Sequence, residues 1–172
     1  MAGTTDLSFR LIARERGASF CFFEMIDAHS LLHQSAETLT MLKTNETDRP
    51  IGAQLLGADP VVMVDAAHRL LETIPLTLID INCGCPVKKV VKKKCGAFLL
   101  TEPSLLFAIV QKMSAALPVP ISVKLRAGFD AVKTGEITSI ARGCEDAGAS
   151  LLFVHGRSRA QAYRGPVHYS AI

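Results

Sequence analysis

Short apolar runs alternate with longer amphipathic stretches along the 172-residue chain. Five runs have strand length and end in glycine, asparagine or a charged residue; they cover residues 18–26, 50–57, 76–82, 120–128 and 150–156. Four amphipathic stretches of helical length cover residues 4–17, 59–73, 102–117 and 135–148. Apolar strands that alternate with helices predict a parallel sheet of βα units. No shift in composition marks a boundary, so residues 1–172 are expected to form one domain.

The unusual polar residues lie within or just beyond the C-terminal ends of four predicted strands: Gln54, Asn82, Cys85, Lys124 and His155. In a β/α barrel these ends converge on one mouth, where the chemistry takes place. A doubly wound sheet usually carries a glycine-rich first turn, and the chain has no GxGxxG motif. We therefore predict an α/β fold of the TIM-type (β/α)8 barrel. Because only about five of the eight βα units are present, the barrel is expected to be incomplete.

Composition excludes several classes of protein. The chain is 49% hydrophobic and 20% charged, which is typical of a globular protein. No apolar run is long enough for a membrane span, and the N-terminus does not resemble a signal peptide. Five cysteines, an odd number, do not suggest a secreted disulfide scaffold. A cytoplasmic location without membrane attachment is expected.

The segment "NCGCPVKKVVKKKC" combines thiols with positive charge. Cys85 lies in a Gly-Cys-Pro turn directly after a strand, and neighbouring ammonium groups favour the reactive thiolate. Cys21 and Cys144 lie within strand and helix patterns and are interpreted as buried and inert. A metal site is not expected, because the CxC spacing of Cys83 and Cys85 is not that of a zinc ribbon and no second pair follows.

Three polar residues on apolar strands require partners. Lys124 and Arg126 alternate along one strand and can face the same side. If that side is the barrel interior, a buried lysine needs compensation, which an anionic or electron-rich cofactor would supply. For Arg126, a solvated strand end is an equally good interpretation. Gln54 needs hydrogen-bond partners, and a heteroaromatic ring could provide them.

Positive charge surrounds the predicted mouth. Five lysines lie between residues 88 and 94, and their simplest interpretation is a solvated loop or helix face. Arg157, Arg159 and Arg164 follow the strand that ends at His155. Charge of this kind around a thiol also suits a polyanionic substrate. Tyr163 could stack on a base or merely pack.

Taken together, the segments "MAGTTDLSFR", "AQLLGADP", "IDINCGCPVKKVVKKKCGAFLL", "VKLRAGF" and "VHGRSRAQAYRG" resemble the tRNA-dihydrouridine synthases in order and spacing. The resemblance implies an FMN-containing β/α barrel that reduces the C5–C6 double bond of a uridine in tRNA, with NADPH as the reductant of the flavin. It assigns Cys85 as the general acid that protonates C5. Hydride is delivered to C6 by reduced FMN.

The resemblance also implies roles for other residues. Residues assigned to FMN are Met1, Ala2, Gln54, Lys124 and His155. Residues assigned to the tRNA substrate are Asn82, Lys88, Lys89, Arg126, Arg157, Arg159 and Tyr163. No residue is assigned to a metal.

The resemblance leads to one further expectation and leaves two alternatives. Relative to the family, the chain lacks a strand before Met1, the last barrel strands and a helical tRNA-binding domain. Those strands carry the loops that hold the FMN phosphate, so weak FMN binding and little synthase activity are expected. The alternatives are another FMN barrel that resembles dihydroorotate dehydrogenase, and a non-catalytic RNA-binding fragment.

Overall fold

Five parallel strands form one sheet in the computed structural model, which describes residues 3–172. The strands are β1 (Cys21–Asp27), β2 (Ile51–Leu56), β3 (Leu78–Cys83), β4 (Ile121–Arg126) and β5 (Leu151–His155). Their spatial order follows the chain order, and every neighbouring pair is parallel. A doubly wound sheet reverses direction at a switch point, whereas a β/α barrel winds in one direction. The sheet therefore confirms the predicted α/β fold as part of a TIM-type barrel.

The described residues also form seven α-helices: α1 (Leu7–Glu15), α2 (Ala28–Leu32), α3 (Ala36–Met41), α4 (Pro60–Leu71), α5 (Lys88–Lys92), α6 (Pro103–Ala116) and α7 (Thr134–Asp146). Short 3-10 segments cover Glu46–Asp48, Gly96–Thr101 and Tyr169–Ala171. The sequence predicts the four longest helices. It misses α2 and α3 and leaves α5 undecided between a loop and a helix, because helices of five and six residues show too little periodicity to be recognised.

The two faces of the sheet carry different residues because side chains alternate along a strand. On the outer face, residues such as Ile79, Ile81 and Val123 are fully buried and form one core with α4, α6 and α7. The inner face is polar, and its side chains include Gln54, Asp80, Asn82, Ser122, Lys124 and Arg126. The helices pack against the outer face of the sheet, and the polar side chains that could take part in a reaction lie on the inner face.

A buried ion pair anchors α1 to the segment before β2. Arg10 Nη2 lies 2.8 Å from Asp48 Oδ2, and both side chains are almost completely buried. The guanidinium also lies over the Phe23 ring, 4.7 Å from its centroid. Removing one partner of such a pair would leave an uncompensated buried charge. The pair therefore holds the start of the described chain against β1.

Within residues 3–172, no helix is long and apolar enough to cross a membrane.

Candidate active site

A cavity of about 610 Å³ opens at the carboxyl ends of the strands, over the inner face of the sheet. Its lining residues come from all five strands and from the turns after β3 and β5: Phe22, Phe23, Met25, Gln54, Asp80, Asn82, Gly84, Cys85, Pro86, Val87, Lys124, Arg126, Phe153, His155 and Tyr163. Seven residues singled out from the sequence thus meet in one place. Met1 and Ala2, which the sequence assigns to the cofactor, lie outside the described residues.

The Cys85 turn is held from two sides. Asn82 Oδ1 accepts hydrogen bonds from the backbone N–H groups of Gly84 (3.2 Å) and Cys85 (2.9 Å). On the other side, the Ala97 N–H donates to the Cys85 carbonyl at 3.1 Å. Strand β3 ends at Cys83, whose side chain is fully buried. The half-buried Cys85 thiol, in contrast, lines the cavity.

Gln54, Asp80 and Asn82 form a chain of side-chain hydrogen bonds along the cavity floor. Gln54 Nε2 donates to Asp80 Oδ2 at 2.7 Å, and Asn82 Nδ2 donates to Gln54 Oε1 at 2.7 Å. Ser122 Oγ donates to Asp80 Oδ1 at 2.5 Å. Burial raises the pKa of the Asp80 carboxyl to about 6, against the opposing effect of these two donors and of Lys124.

Sequence analysis did not identify Asp80 as a functional residue. A carboxylate in the otherwise apolar run "LTLIDIN" was the available signal, because strand alternation places it on the same face as Asn82. Phe22, Met25 and Phe153 were also missed. Nothing in the pattern of single apolar residues distinguishes cavity walls from core.

Lys124 is half-buried and stands between two charges of opposite sign. Burial lowers the pKa of its ammonium group, Asp80 raises it, and the nearby Arg126 lowers it. Lys124 is the direct neighbour of Asn82 on β3 and of Phe153 on β5. All three residues line the same cavity.

Arg126 lies in the interior, and the alternative of a solvated strand end is wrong: only 2% of the residue is exposed. Its Nε donates to the Gly84 carbonyl at 2.7 Å. Its Nη1 donates to the carbonyls of Ser158 (3.1 Å) and Ala162 (2.7 Å). Arg126 therefore joins the Cys85 turn to the loop after β5.

His155 and Tyr163 form the rim of the cavity. Their ring centroids are 6.2 Å apart, and Tyr163 is 68% exposed while its ring lies under the Arg126 guanidinium. Burial and the charges of Arg126, Lys124 and Arg157 lower the pKa of His155, which favours the neutral imidazole. Arg157 Nη1 lies 3.4 Å from His155 Nε2, which accepts in the neutral ring.

The remaining predicted substrate residues lie outside the cavity lining. Lys88 and Lys89 are exposed at the start of α5, one turn beyond Cys85. Arg157 donates twice to the Gly165 carbonyl, at 3.0 and 2.9 Å. The Arg159 guanidinium lies over the Phe129 ring, 4.8 Å from its centroid. These cations surround the mouth and do not enter it.

Three of the other cysteines offer less reactive groups. Cys83, Cys95 and Cys144 are buried, whereas Cys21, which was expected to be buried, is partly exposed because it begins β1. Desolvation raises the pKa of each buried thiol, to about 12 for Cys144. Among residues 3–172 there is also no group of three or more His, Cys, Asp or Glu side chains that could hold a metal ion.

A thiol on a fixed turn, a half-buried lysine and a floor of amides meet at the carboxyl ends of parallel strands. This combination is that of the catalytic mouth of a β/α-barrel protein. The chain belongs to the dihydrouridine synthase family, whose model matches residues 1–172. This result disfavours the alternative related to dihydroorotate dehydrogenase.

Curated relatives support the same assignment. The chain is 37% identical over 172 residues to tRNA-dihydrouridine synthase B of Pseudomonas aeruginosa, covering all of this chain and 51% of the relative. It is 38% identical to the protein of the same name from Pseudomonas syringae pv. tomato, covering 100% and 50%. A probable tRNA-dihydrouridine synthase of Treponema pallidum is 33% identical, covering 100% and 52%. The chain spans about half the length of the curated relatives it matches.

Proposed function

We propose that the chain is the part of a flavin-dependent tRNA-dihydrouridine synthase that contains the thiol. The reaction is the reduction of a uridine in tRNA to 5,6-dihydrouridine. One observation carries the proposal: Cys85, Gln54 and Lys124 line a single cavity at the mouth of the partial barrel. As in the family, residues 1–172 form part of the barrel domain.

The cavity fits an isoalloxazine ring. Its volume of about 610 Å³ is within the range of small-molecule and cofactor sites. Phe22, Met25 and Phe153 supply apolar walls, and Gln54 keeps one amide N–H and one oxygen lone pair free of the described hydrogen bonds. Lys124 supplies a positive charge to an electron-rich ring. FMN, reloaded by NADPH, would supply the hydride that reaches uracil C6, and Met1, Ala2 and His155 are further candidates for its contacts.

Cys85 would supply the proton. A hydride added at C6 places negative charge on the uracil C5 and O4, and the Cys85 S–H bond breaks as C5 takes its proton. The thiolate then recovers a proton from solvent. This step needs a thiol held within reach of C5, and the turn that is hydrogen-bonded to Asn82 would hold the Cys85 thiol in one position.

The cations around the mouth would bind the RNA backbone. Lys88 and Lys89 are exposed beside the Cys85 turn, and Arg157 and Arg159 occupy the loop after β5. Tyr163, also exposed, is placed to stack on a base turned out of the tRNA. Turning a base outward costs a few kcal/mol, which backbone contacts can offset.

The role of the Cys85 thiol is tested by measuring dihydrouridine synthase activity. The chain is incubated with FMN, NADPH and unmodified tRNA, and dihydrouridine is measured by mass spectrometry as uridine that gains two hydrogens. Cys85→Ala should reduce the rate at least about 100-fold, since general acid catalysis contributes factors of this size. Cys21→Ala, a change on β1 away from the cavity lining, is the control. If the Cys21→Ala control forms measurable dihydrouridine and Cys85→Ala forms it at the same rate, the role of Cys85 is refuted.

The cofactor site is tested by an absorbance titration. FMN is titrated with the chain, and the change in the visible flavin band is measured at equilibrium, without removing unbound flavin. Lys124→Met should weaken binding about tenfold or more, because it removes the charge beside the ring. Lys112→Met on α6 should not change it. The same titration measures whether binding is as weak as the sequence predicts, and a chain that binds no flavin at any concentration would contradict the cofactor assignment.

A further inference from the structure

The amide of Asn82 has no hydrogen-bonding group left for a substrate. An asparagine amide has two N–H donors and an oxygen with two lone pairs. The donors are directed at Gln54 Oε1 (2.7 Å) and at Met25 Sδ (3.3 Å). The oxygen accepts from the N–H groups of Gly84 and Cys85. Asn82 is therefore placed to hold the turn rather than to bind uracil.

The direction of the chain of amides is fixed at both ends. At one end, ionised Asp80 can only accept hydrogen bonds, so Gln54 must turn its Nε2 towards it. The Gln54 oxygen then faces Asn82 and accepts from its amide nitrogen. At the other end, the backbone N–H groups can only donate, so Asn82 must present its oxygen to them. Both ends require the same direction, and no donor faces a donor.

We propose that Asp80 is a positioning residue that acts through Gln54 and Asn82 on the turn that carries Cys85. This relay, defined as Asp80, Gln54 and Asn82, also fixes which edge of the Gln54 amide faces the cavity. The inference rests on the proposed function, because Cys85 matters only if its thiol acts on the substrate. Asp80 itself is 1% exposed and lies two residues before Asn82 on β3.

Charge and burial make Asp80 a suitable anchor for the relay. Hydrogen bonds to an ionised acceptor are stronger than neutral ones, and a buried network in which every member is satisfied is rigid. Ser122 Oγ donates to the other carboxylate oxygen, and the hydrogen bond between Gln54 and Asp80 does not pass through it. Ser122 touches Asp80 but is not part of the relay, which makes it the matched control.

The test measures the rate at which iodoacetamide alkylates Cys85 in the whole chain without flavin, by mass spectrometry of the Cys85 peptide. Asp80→Leu should accelerate alkylation about threefold or more, since coupling within one hydrogen-bond network produces changes of this size. Asp80→Asn should restore a rate close to that of the wild type, because its oxygen can still accept from Gln54 while its amide donates to Ser122. Ser122→Ala should leave the rate within about a factor of two of the wild type.

Two outcomes overturn the relay. One is a wild-type rate in folded Asp80→Leu. The other is equal acceleration in Asp80→Leu and Ser122→Ala, which would indicate general loosening around the carboxylate. If Asp80→Leu does not fold, Gln54→Leu replaces it: this variant interrupts the relay at its middle and should also accelerate alkylation, whereas an unchanged rate refutes the proposal.

A second readout separates this inference from the proposed function. With FMN bound, Asp80→Leu should shift the visible flavin bands relative to the wild type, because the Gln54 amide is no longer held in one orientation. If the wild-type chain binds no FMN, the cofactor assignment fails. The alkylation rates, measured without flavin, decide on the relay in either case.

Discussion

Polar strand residues on the inner face of this sheet are compensated by polar neighbours on the next strand. Gln54 and Asp80 are cross-strand neighbours, and so are Asp80 and Ser122. Each of these three side chains therefore has a hydrogen-bond partner at the paired position of the adjacent strand. This layer of polar contacts leaves one ionisable group, Asp80, deep in the sheet. Its protonation is expected to influence the stability of the whole fold.

Asp80 should make stability depend on pH. Its pKa is about 6 in the folded chain, above the ordinary 3.8. A raised carboxyl pKa contributes stability that is complete below about pH 4 and is lost as the pH rises through about 6. Asp80→Asn cannot ionise, so its stability does not carry this loss. When the pH is raised from about 4 to about 7.5, the free energy of unfolding of the variant minus that of the wild type should increase by about 2 kcal/mol. Urea unfolding at both values measures this.

The control for this prediction is Asp65→Asn on the exposed side of α4. The difference in free energy of unfolding between Asp65→Asn and the wild type should change much less over the same pH interval. If the two variants show the same pH dependence, Asp80 is not the group that titrates.

At this scale, the sequence predicted the residues that break an apolar pattern. Gln54, Lys124 and Cys85 stand out because a strand rarely carries an amide or ammonium group without a reason. The relay was not predictable, since it depends on the register of β2 against β3 and on the orientation of two amides. Arg126 illustrates the same limit. The sequence shows that Arg126 and Lys124 can face the same side of a strand. The three carbonyl partners of Arg126, however, lie 32 to 42 residues away in the chain.

At the scale of elements, the Cys85 turn depends on a glycine in the segment that follows α5. Gly96 has a φ of +63°, in the left-handed region that favours glycine. A Cβ at this position would lie 3.0 Å from both Cys85 Cβ and the Cys85 carbonyl oxygen, and 2.9 Å from Val90 Cγ1. The start of the 3-10 segment Gly96–Thr101 therefore packs directly against the backbone that carries the thiol.

Gly96→Ala should destabilise the fold by about 1–2 kcal/mol, because it combines left-handed backbone with close contact. It should also displace the Cys85 turn and change the alkylation rate of the thiol. Denaturant unfolding and the alkylation assay measure the two effects. Gly135→Ala is the matched control, since a Cβ there meets nothing within 4 Å. A Gly96→Ala chain as stable as this control would contradict the packing argument.

The sequence predicted the regular elements better than the irregular ones. All five strands were expected, although the first begins at Cys21 instead of residue 18. The pairing of β1 with β2 shifts between Phe22 and Met25. An irregularity of this kind interrupts the alternation of side chains. Phe22, Phe23 and Met25 consequently all reach the cavity, which a strict period of two would not predict.

At the scale of the whole molecule, charge is distributed unevenly although the net charge is only +3. The five lysines between residues 88 and 94 are exposed on and directly after α5, beside the thiol. Lys93 lies 3.9 Å from Asp27, a weak contact between partly exposed groups. The lysines therefore concentrate positive charge beside the mouth of the cavity, whereas the cations on the outer helices are spread along the chain.

Replacing Lys88 and Lys89 together by glutamine should weaken tRNA binding and lower the slope of log K against log salt by about 2, since each phosphate contact contributes about 1. Filter binding or fluorescence anisotropy at several salt concentrations measures the slope. The control replaces Lys112 and Arg142, two exposed cations on α6 and α7, by glutamine. A slope that falls equally in both variants would mean that binding depends only on net charge.

Arg126 couples two loops at the mouth of the cavity. Its guanidinium bonds the backbone of the Cys85 turn on one side and the backbone of the loop after β5 on the other. Two loops fastened to one rigid planar group cannot shift independently. A change in the length or shape of one loop therefore disturbs the hydrogen bonds that Arg126 makes to the other. Engineering of specificity at this rim should accordingly exchange the two loops together.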